Sequence, residues 1–188
     1  MPWLVILVGY LLGSVPTAYI AGRVVRGKDI RLIGDRNAGA ANAYRELGPL
    51  AGITVGLLDA AKGILAILIA RAGDMPQAVV LLAGLATVIG HNWPVFLGFR
   101  GGRGVSTTLG IMLVLVTLPL LILALPTLLI LFVRKNVTPA MAFLFIALPL
   151  VEWWRGVPPL LIAYGVLLPA LVGITHFFRV GGRAVRHA

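Results

Sequence analysis

Long apolar blocks, separated by polar segments, dominate this chain of 188 residues. Five blocks are clear, at residues 3–21, 50–70, 77–97, 139–154 and 158–178. Blocks of roughly 20 residues are long enough to cross a bilayer as helices. The first block lacks the basic start and the small-residue cleavage site of a signal peptide, so we expect it to be a retained span. The pattern predicts an all-α, polytopic transmembrane helical bundle that forms a single domain over residues 1–188.

One further block, at residues 105–133, is too long for a single ordinary span. It contains 29 residues without a charge and is interrupted by Pro119 and Pro126. Either one long kinked helix crosses the membrane once, or a short helix over residues 105–117 turns at Leu118 and Pro119 and a second helix returns to residue 133. The total is therefore six or seven membrane helices.

The placement of basic residues favours seven helices, with the N-terminus outside and the C-terminus cytoplasmic. In that arrangement the outer loops receive only Arg71 and Arg155, as the positive-inside rule expects. Six helices would separate Arg134 and Lys135 from most of the other basic loops. The residues assigned to the inner side are Arg23, Arg26, Lys28, Arg31, Arg36, Arg45, Arg100, Arg103, Arg134, Lys135, Arg179, Arg183 and Arg186.

Composition excludes two other classes of protein. The 16 Lys and Arg against 6 Asp and Glu give a net charge of +10, yet only 12% of residues are charged and 60% are hydrophobic. A soluble nucleic-acid-binding protein would not have so apolar a chain, so we expect a lipid bilayer and no nucleic acid as partner. The absence of cysteine removes disulfides, cysteine metal sites and cysteine nucleophiles.

Two inner segments are more polar and richer in glycine than topology requires. Residues 34–45 contain Asn37, Asn42 and Arg45, which can grip an anion, although either Asn alone could equally be a turn or cap residue. In residues 90–108, glycines surround Arg103 just before an apolar helix. Such a loop can direct backbone N–H groups and a helix dipole at a phosphate, or it is simply a flexible basic loop. The Walker spacing is absent.

Charged and imidazole side chains also occur within the apolar blocks. Asp59 and Lys62 share one helix face, as a structural ion pair or as part of a site. Glu152 lies near a predicted outer end, where an interfacial belt is the expected explanation. His91 and His176 lie at predicted cytoplasmic ends, and neither has the carboxylate of a His-x4-Asp acyltransferase motif or a zinc-site spacing, so we expect no metal.

In order and spacing, these motifs resemble the bacterial acyl-phosphate:glycerol-3-phosphate acyltransferases. The resemblance covers nearly the whole chain and is densest over residues 12–110. It implies a seven-helix inner-membrane enzyme that transfers a fatty acyl group from acyl phosphate to glycerol 3-phosphate, giving lysophosphatidic acid and phosphate without a cofactor. The segments that carry it are Gly13-Ser14-Val15-Pro16, Asp29-Ile30-Arg31, residues 34–45, Asp59 with Lys62-Gly63, Gly90-His91, Pro94-Val95-Phe96 and residues 99–105.

The resemblance also implies roles for individual residues. The loop around Arg103 would hold the phosphate of the acyl phosphate, Asn37, Asn42 and Arg45 would bind glycerol 3-phosphate, and Asp59 with Lys62 would brace the site. A monomer is the default expectation. The implied catalytic residues are Arg45, Arg103 and His176, and the implied substrate-binding residues are Ser14, Asn37, Gly39, Asn42, Asp59, Lys62, His91, Gly101, Gly102 and Gly104.

Several positions depart from the family's pattern near this centre. Arg103 stands where the family usually has Lys, Arg179 where it has Asn, and Ala41 where it has Thr. Three interpretations follow: a working acyltransferase, a catalytically degenerate member that binds lipid or a partner, and a transporter of small anions. The remaining departures are Asp35 and Arg36 in place of Ser-Gly, and Met141 in a segment that normally carries a hydroxyl.

Overall fold

The computed structural model describes the backbone of residues 1–184 and the side chains of residues 1–179. This part of the chain is helical and contains no strand, which confirms the predicted all-α class. Six of its helical stretches are long and apolar enough to cross a membrane. The helices are α1 Pro2–Ser14, α2 Thr17–Arg26, α3 Ala40–Leu47, α4 Pro49–Ala72, α5 Gln77–Asn92, α6 Val105–Leu115, α7 Thr117–Arg134, α8 Val137–Trp154 and α9 Pro159–Ala184.

Two apolar blocks are each divided into two helices. The first, expected as one span, breaks at Val15 and Pro16, because Pro16 has no N–H to continue the helix. The block at residues 105–133 breaks at Val116, close to the turn that one alternative placed at Leu118 and Pro119. The number of crossings and the orientation of the termini stay predictions. The side chains of Arg183 and Arg186, assigned above to the inner side, lie outside the described residues.

Glycines allow two pairs of helices to pack at backbone distance. A Cβ on Gly13 of α1 or on Gly90 of α5 would collide with a backbone carbonyl oxygen of the other helix. Gly63 of α4 and Gly110 of α6 face the opposite backbone in the same way. Small residues at such crossings are how membrane helices gain van der Waals contact in the absence of a hydrophobic driving force.

The core has two parts. The larger one includes Ile67, Val88, Ile111 and Leu148, and it joins α4, α5, α6, α8 and α9. A smaller cluster lies under the α2–α3 connection and packs it against α4, through Ala18, Ile30, Ala43, Leu47 and Val55. This second cluster fixes the polar segment at residues 34–45 to the bundle, where it forms one wall of the cavity described next.

Candidate active site

One cavity of about 1550 Å³ combines a polar end with an apolar limb. The polar end is lined by Asp35, Asn37, Arg45, Arg103 and His176, and the limb runs between α7, α8 and α9. A cavity of this size exceeds the space that a single small ligand needs. The arrangement therefore offers charged groups to a polar ligand and an apolar groove to a hydrocarbon chain.

Asn42 organises the loop that forms one wall of the polar end. Its side chain is fully buried, its Nδ2 lies 3.1 Å from the carbonyl oxygens of Ile30, Ile33 and Asn37, and its Oδ1 accepts from the N–H of Asp35 at 3.1 Å. The amide is therefore committed to the backbone of this loop, so its contribution to a site is to hold Asp35 and Asn37 in place.

Two arginines meet at the carboxylate of Asp35. Arg45 Nη2 lies 2.8 Å from Asp35 Oδ2, and Arg103 Nη2 lies 3.8 Å from the same oxygen. Arg36, the next residue in the chain, is exposed, with a positive φ of 55°. Two guanidinium groups that converge on one carboxylate form a binding geometry for an oxyanion.

Two helices begin at this cavity without a side-chain cap. Gly39 precedes α3 and Gly104 precedes α6, and both glycines line the cavity together with Ala40, Ala41 and Val105. The first N–H groups of a helix lack intrahelical partners and carry the positive end of its dipole. Two such helix starts at one cavity favour ligands with negative charge.

The glycine loop does not direct all its N–H groups at the cavity, contrary to the expectation from sequence. The N–H of Gly101 donates to the carbonyl of Asn92 at 3.2 Å, and that of Gly102 donates to the carbonyl of His91 at 3.0 Å. These carbonyls end α5 and need donors, so the two N–H groups complete that helix. The start of α6 and the side chain of Arg103 line the cavity in this region.

Close packing explains the glycines of this loop. A Cβ on Gly102 would collide with the ring of His91, and one on Gly101 would collide with the His91 carbonyl oxygen. Gly104 has a φ of 83°, in the left-handed region, and a Cβ there would lie 2.8 Å from Asn92 Oδ1. The glycines thus bring Arg103 close to the end of α5.

Arg179 of α9 binds the same loop, although the sequence marked it only as a departure. Its Nη1 donates to the carbonyls of Gly101 and Gly102, and its Nη2 donates to the carbonyl of Asn92. A planar guanidinium can serve several acceptors at once. Arg179 therefore ties α9 to the loop that carries Arg103.

A buried polar network lies between the break in the first span and the cavity. Lys62 Nζ lies 2.7 Å from Asp59 Oδ1 and 2.6 Å from the Val15 carbonyl, and Thr17 donates to Asp59. Asp59 also lies 3.5 Å from His91 Nδ1, and both residues line the cavity. Asp59 and Lys62 thus form an ion pair beside the cavity, and a role for the pair in a site stays a prediction.

The side chain of Arg31 holds two loops together. Arg31 forms a 2.8 Å ion pair with Asp29 and donates to the Leu97 carbonyl at 3.0 Å. The side-chain hydrogen bond from Arg31 lowers the pKa of Asp29 below its ordinary value.

Ser14 lies apart from the main cavity: it is fully buried and its hydroxyl is 3.5 Å from the Gly90 carbonyl, within the α1–α5 contact.

The sequence predicted that Glu152 belongs to an interfacial belt, but the structure places its side chain in the protein interior. Its side chain is 0% exposed, whereas Trp153 and Trp154 beside it are 76% and 68% exposed. The belt prediction was wrong for Glu152, because the side of α8 that carries Glu152 packs on Gly165 of α9.

Comparisons with known proteins agree with this geometry. The family model described as "Glycerol-3-phosphate acyltransferase" matches residues 3–181. "Glycerol-3-phosphate acyltransferase 4" of Dehalococcoides mccartyi is 49% identical over 95% of this chain and 97% of its own length. A second protein of that organism, "Glycerol-3-phosphate acyltransferase 1", is 41% identical over 90% of this chain and 84% of its own.

Solved structures of a membrane protein show the same fold. The crystal structure of PlsY (YgiH), an integral membrane glycerol 3-phosphate acyltransferase, in its glycerol 3-phosphate form superposes with a TM-score of 0.87 at 31% identity, covering 98% of this chain and 92% of that one. Its lysophosphatidic acid form gives a TM-score of 0.81 at 30% identity, with the same coverage. The chain therefore belongs to the glycerol-3-phosphate acyltransferase family.

Proposed function

We propose that this multi-pass protein of the bacterial inner membrane transfers a fatty acyl group from acyl phosphate to the sn-1 hydroxyl of glycerol 3-phosphate, giving lysophosphatidic acid and phosphate. The observation that carries the proposal is the cavity, in which two uncapped helix starts and two arginines adjoin an apolar groove. Relatives named glycerol-3-phosphate acyltransferase, and related structures in glycerol 3-phosphate and lysophosphatidic acid forms, support it.

The two phosphates are assigned to the two helix starts. Arg45, Asn37 and the start of α3 at Gly39 bind glycerol 3-phosphate, and Asn42 holds that wall in shape. Arg103 and the start of α6 bind the phosphate of the acyl donor. Because both substrates carry negative charge, the site must offset their mutual repulsion as well as align them.

The reaction needs no cofactor in this scheme. The sn-1 hydroxyl oxygen forms a bond to the acyl carbonyl carbon, and the bond from that carbon to the phosphate oxygen breaks. The hydroxyl proton ends on the released phosphate, with His176, which lines the same cavity, placed to assist. Asp59, Lys62 and His91 brace the wall behind the glycine loop. The apolar limb holds the acyl tail, and the product leaves from this limb into the bilayer. The enzyme works as a monomer.

The test is phosphate release by the detergent-purified protein from palmitoyl phosphate, with and without glycerol 3-phosphate. We expect release that depends on the acceptor. Arg45→Ala should raise the KM for glycerol 3-phosphate, and Arg103→Ala should raise the KM for palmitoyl phosphate more than that for the acceptor. Arg26→Ala is the matched control, since it removes one exposed positive charge that does not line the cavity.

Two results would contradict the proposal. Folded, monodisperse protein that releases no phosphate would favour a catalytically degenerate member of the family. Equal effects of Arg103→Ala on both KM values would remove the assignment of Arg103 to the acyl donor.

A further inference from the structure

The apolar limb of the cavity has a defined direction along two helices. On α8 it is lined by Met141, Phe145 and Pro149, and on α9 by Gly173 and Pro169. Residues spaced by four share one face of a helix. Each face therefore runs from the polar end of the cavity toward the opposite membrane surface, and each must stop at a particular residue.

The next positions on these two faces are Glu152 on α8, three residues after Pro149, and Gly165 on α9, four residues before Pro169. These two residues meet: a Cβ on Gly165 would lie 2.5 Å from Glu152 Oε2. Neither lines the cavity, although Pro149 and Val166 do. The groove thus ends where the Glu152 side chain lies across Gly165.

The contacts of the Glu152 side chain do not explain why a polar residue is buried at this position. Its side chain is fully buried, and neither carboxyl oxygen has a hydrogen-bond partner among the described residues. A buried polar group without a partner costs free energy. An apolar residue would fill this place at a lower cost, so stability alone does not account for a polar side chain at the end of the groove.

The length of the groove corresponds to one leaflet. From His176 at the polar end to Gly165, α9 rises about 16 Å, and one leaflet fills half of the roughly 30 Å hydrocarbon core. Building on the proposed function, we propose that Glu152, seated on Gly165, closes the distal end of the acyl groove and sets the longest acyl chain that the enzyme uses efficiently.

The test is the chain-length profile of kcat/KM over lauroyl, myristoyl, palmitoyl, stearoyl and arachidoyl phosphate. Glu152→Ala removes the closing side chain, so the ratio of stearoyl to palmitoyl phosphate should rise about tenfold, the value of two further buried methylenes. Glu152→Gln keeps the side-chain length and should keep the wild-type profile. Trp153→Ala is the matched control, because it removes a larger side chain at the same depth from the exposed face.

A second measurement uses the unaltered protein. Palmitoyl phosphate with a photoreactive diazirine at its terminal carbon should label Pro149, Glu152 or Gly165. Labelling confined to other helices, or an unchanged profile in Glu152→Ala, would overturn the closure while the wild-type activity still supports the proposed function. Inactive wild-type protein would instead contradict the proposed function itself.

Discussion

Asp35 lies between Arg45, which is proposed to bind glycerol 3-phosphate, and Arg103, which is proposed to bind the phosphate of the acyl donor. Its Oδ2 contacts Arg45 at 2.8 Å, while its Oδ1 accepts from the N–H of Asn37 at 3.1 Å. Asp35→Asn keeps the latter acceptor and removes the charge that repels phosphate. We expect the KM for glycerol 3-phosphate to fall about two- to fivefold, as suits a partly exposed pair.

Initial rates of phosphate release at saturating palmitoyl phosphate measure this KM. Asp74→Asn, in the loop after α4 and outside the cavity, should leave it unchanged. A higher KM in Asp35→Asn would mean that the carboxylate orients Arg45 for binding and does not compete with the substrate.

Arg179 is a positioning residue for the glycine loop, because its guanidinium donates to the carbonyls of Gly101, Gly102 and Asn92. The ammonium of Arg179→Lys keeps the charge but cannot reproduce this planar set of donors. We expect the KM for palmitoyl phosphate to rise about tenfold, the scale of a lost charged hydrogen bond, with a smaller change for glycerol 3-phosphate. An equal rise in both values, measured in the same assay, would indicate a general loss of structure.

The sequence identified those site residues that stand out within their own segment, and it missed contacts between segments that are distant in the chain. Asn37, Arg45 and Arg103 were identified because polar groups in glycine-rich inner segments are unusual in so apolar a chain. The use of the Gly101 and Gly102 N–H groups by α5 could not be predicted, since it depends on a contact with the preceding helix. The contacts of Arg179 were missed for the same reason: its partners are more than 70 residues away in sequence.

Among the helices, close glycine contacts determine which pairs pack. A Cβ on Gly110 of α6 would collide with the backbone oxygen of Ala60 in α4, which cannot move aside as a side chain can. Gly110→Ala should therefore destabilise the protein by about 1–3 kcal/mol and lower the Tm by several degrees. Thermal unfolding in detergent measures this change.

Gly173→Ala is the matched control for that experiment, since nothing lies within 4 Å of a Cβ at Gly173. Alanine is the better helix former, by roughly 0.5–1 kcal/mol, so this variant should keep or raise the Tm. If both variants unfolded alike, the close α4–α6 contact would not contribute to stability as described.

The helices themselves were largely predictable, because the apolar blocks report directly on burial in lipid. The boundaries of α4 and α8 differ from the predicted ones by two residues or fewer. The breaks were harder: Pro16 marks one, and Pro119 indicates the other, but the chain breaks three residues earlier, at Val116, and Pro119 lies in the first turn of α7. The prediction of an interfacial position for Glu152 was wrong, because the sequence of one helix does not show which other helix packs on each of its faces.

For the whole molecule, one cavity joins both ends of the divided block. Arg103 and Val105 at the start of α6 and Arg134 and Lys135 at the end of α7 line the same cavity. A continuous straight helix over these 30 or so residues would extend about 45 Å and would separate its ends by more than a bilayer core. This shared lining favours a chain that reverses at Val116, as the seven-helix alternative requires.

Single cysteines can test that count, since the chain has none of its own. With seven crossings and the N-terminus outside, Arg155→Cys should react with a membrane-impermeant maleimide added to spheroplasts, while Asn136→Cys should react only after lysis. With six crossings this pair would exchange behaviour, because α6 and α7 would cross together. Asp74→Cys, in the loop between α4 and α5, should react from outside in either arrangement, and so controls for access of the reagent.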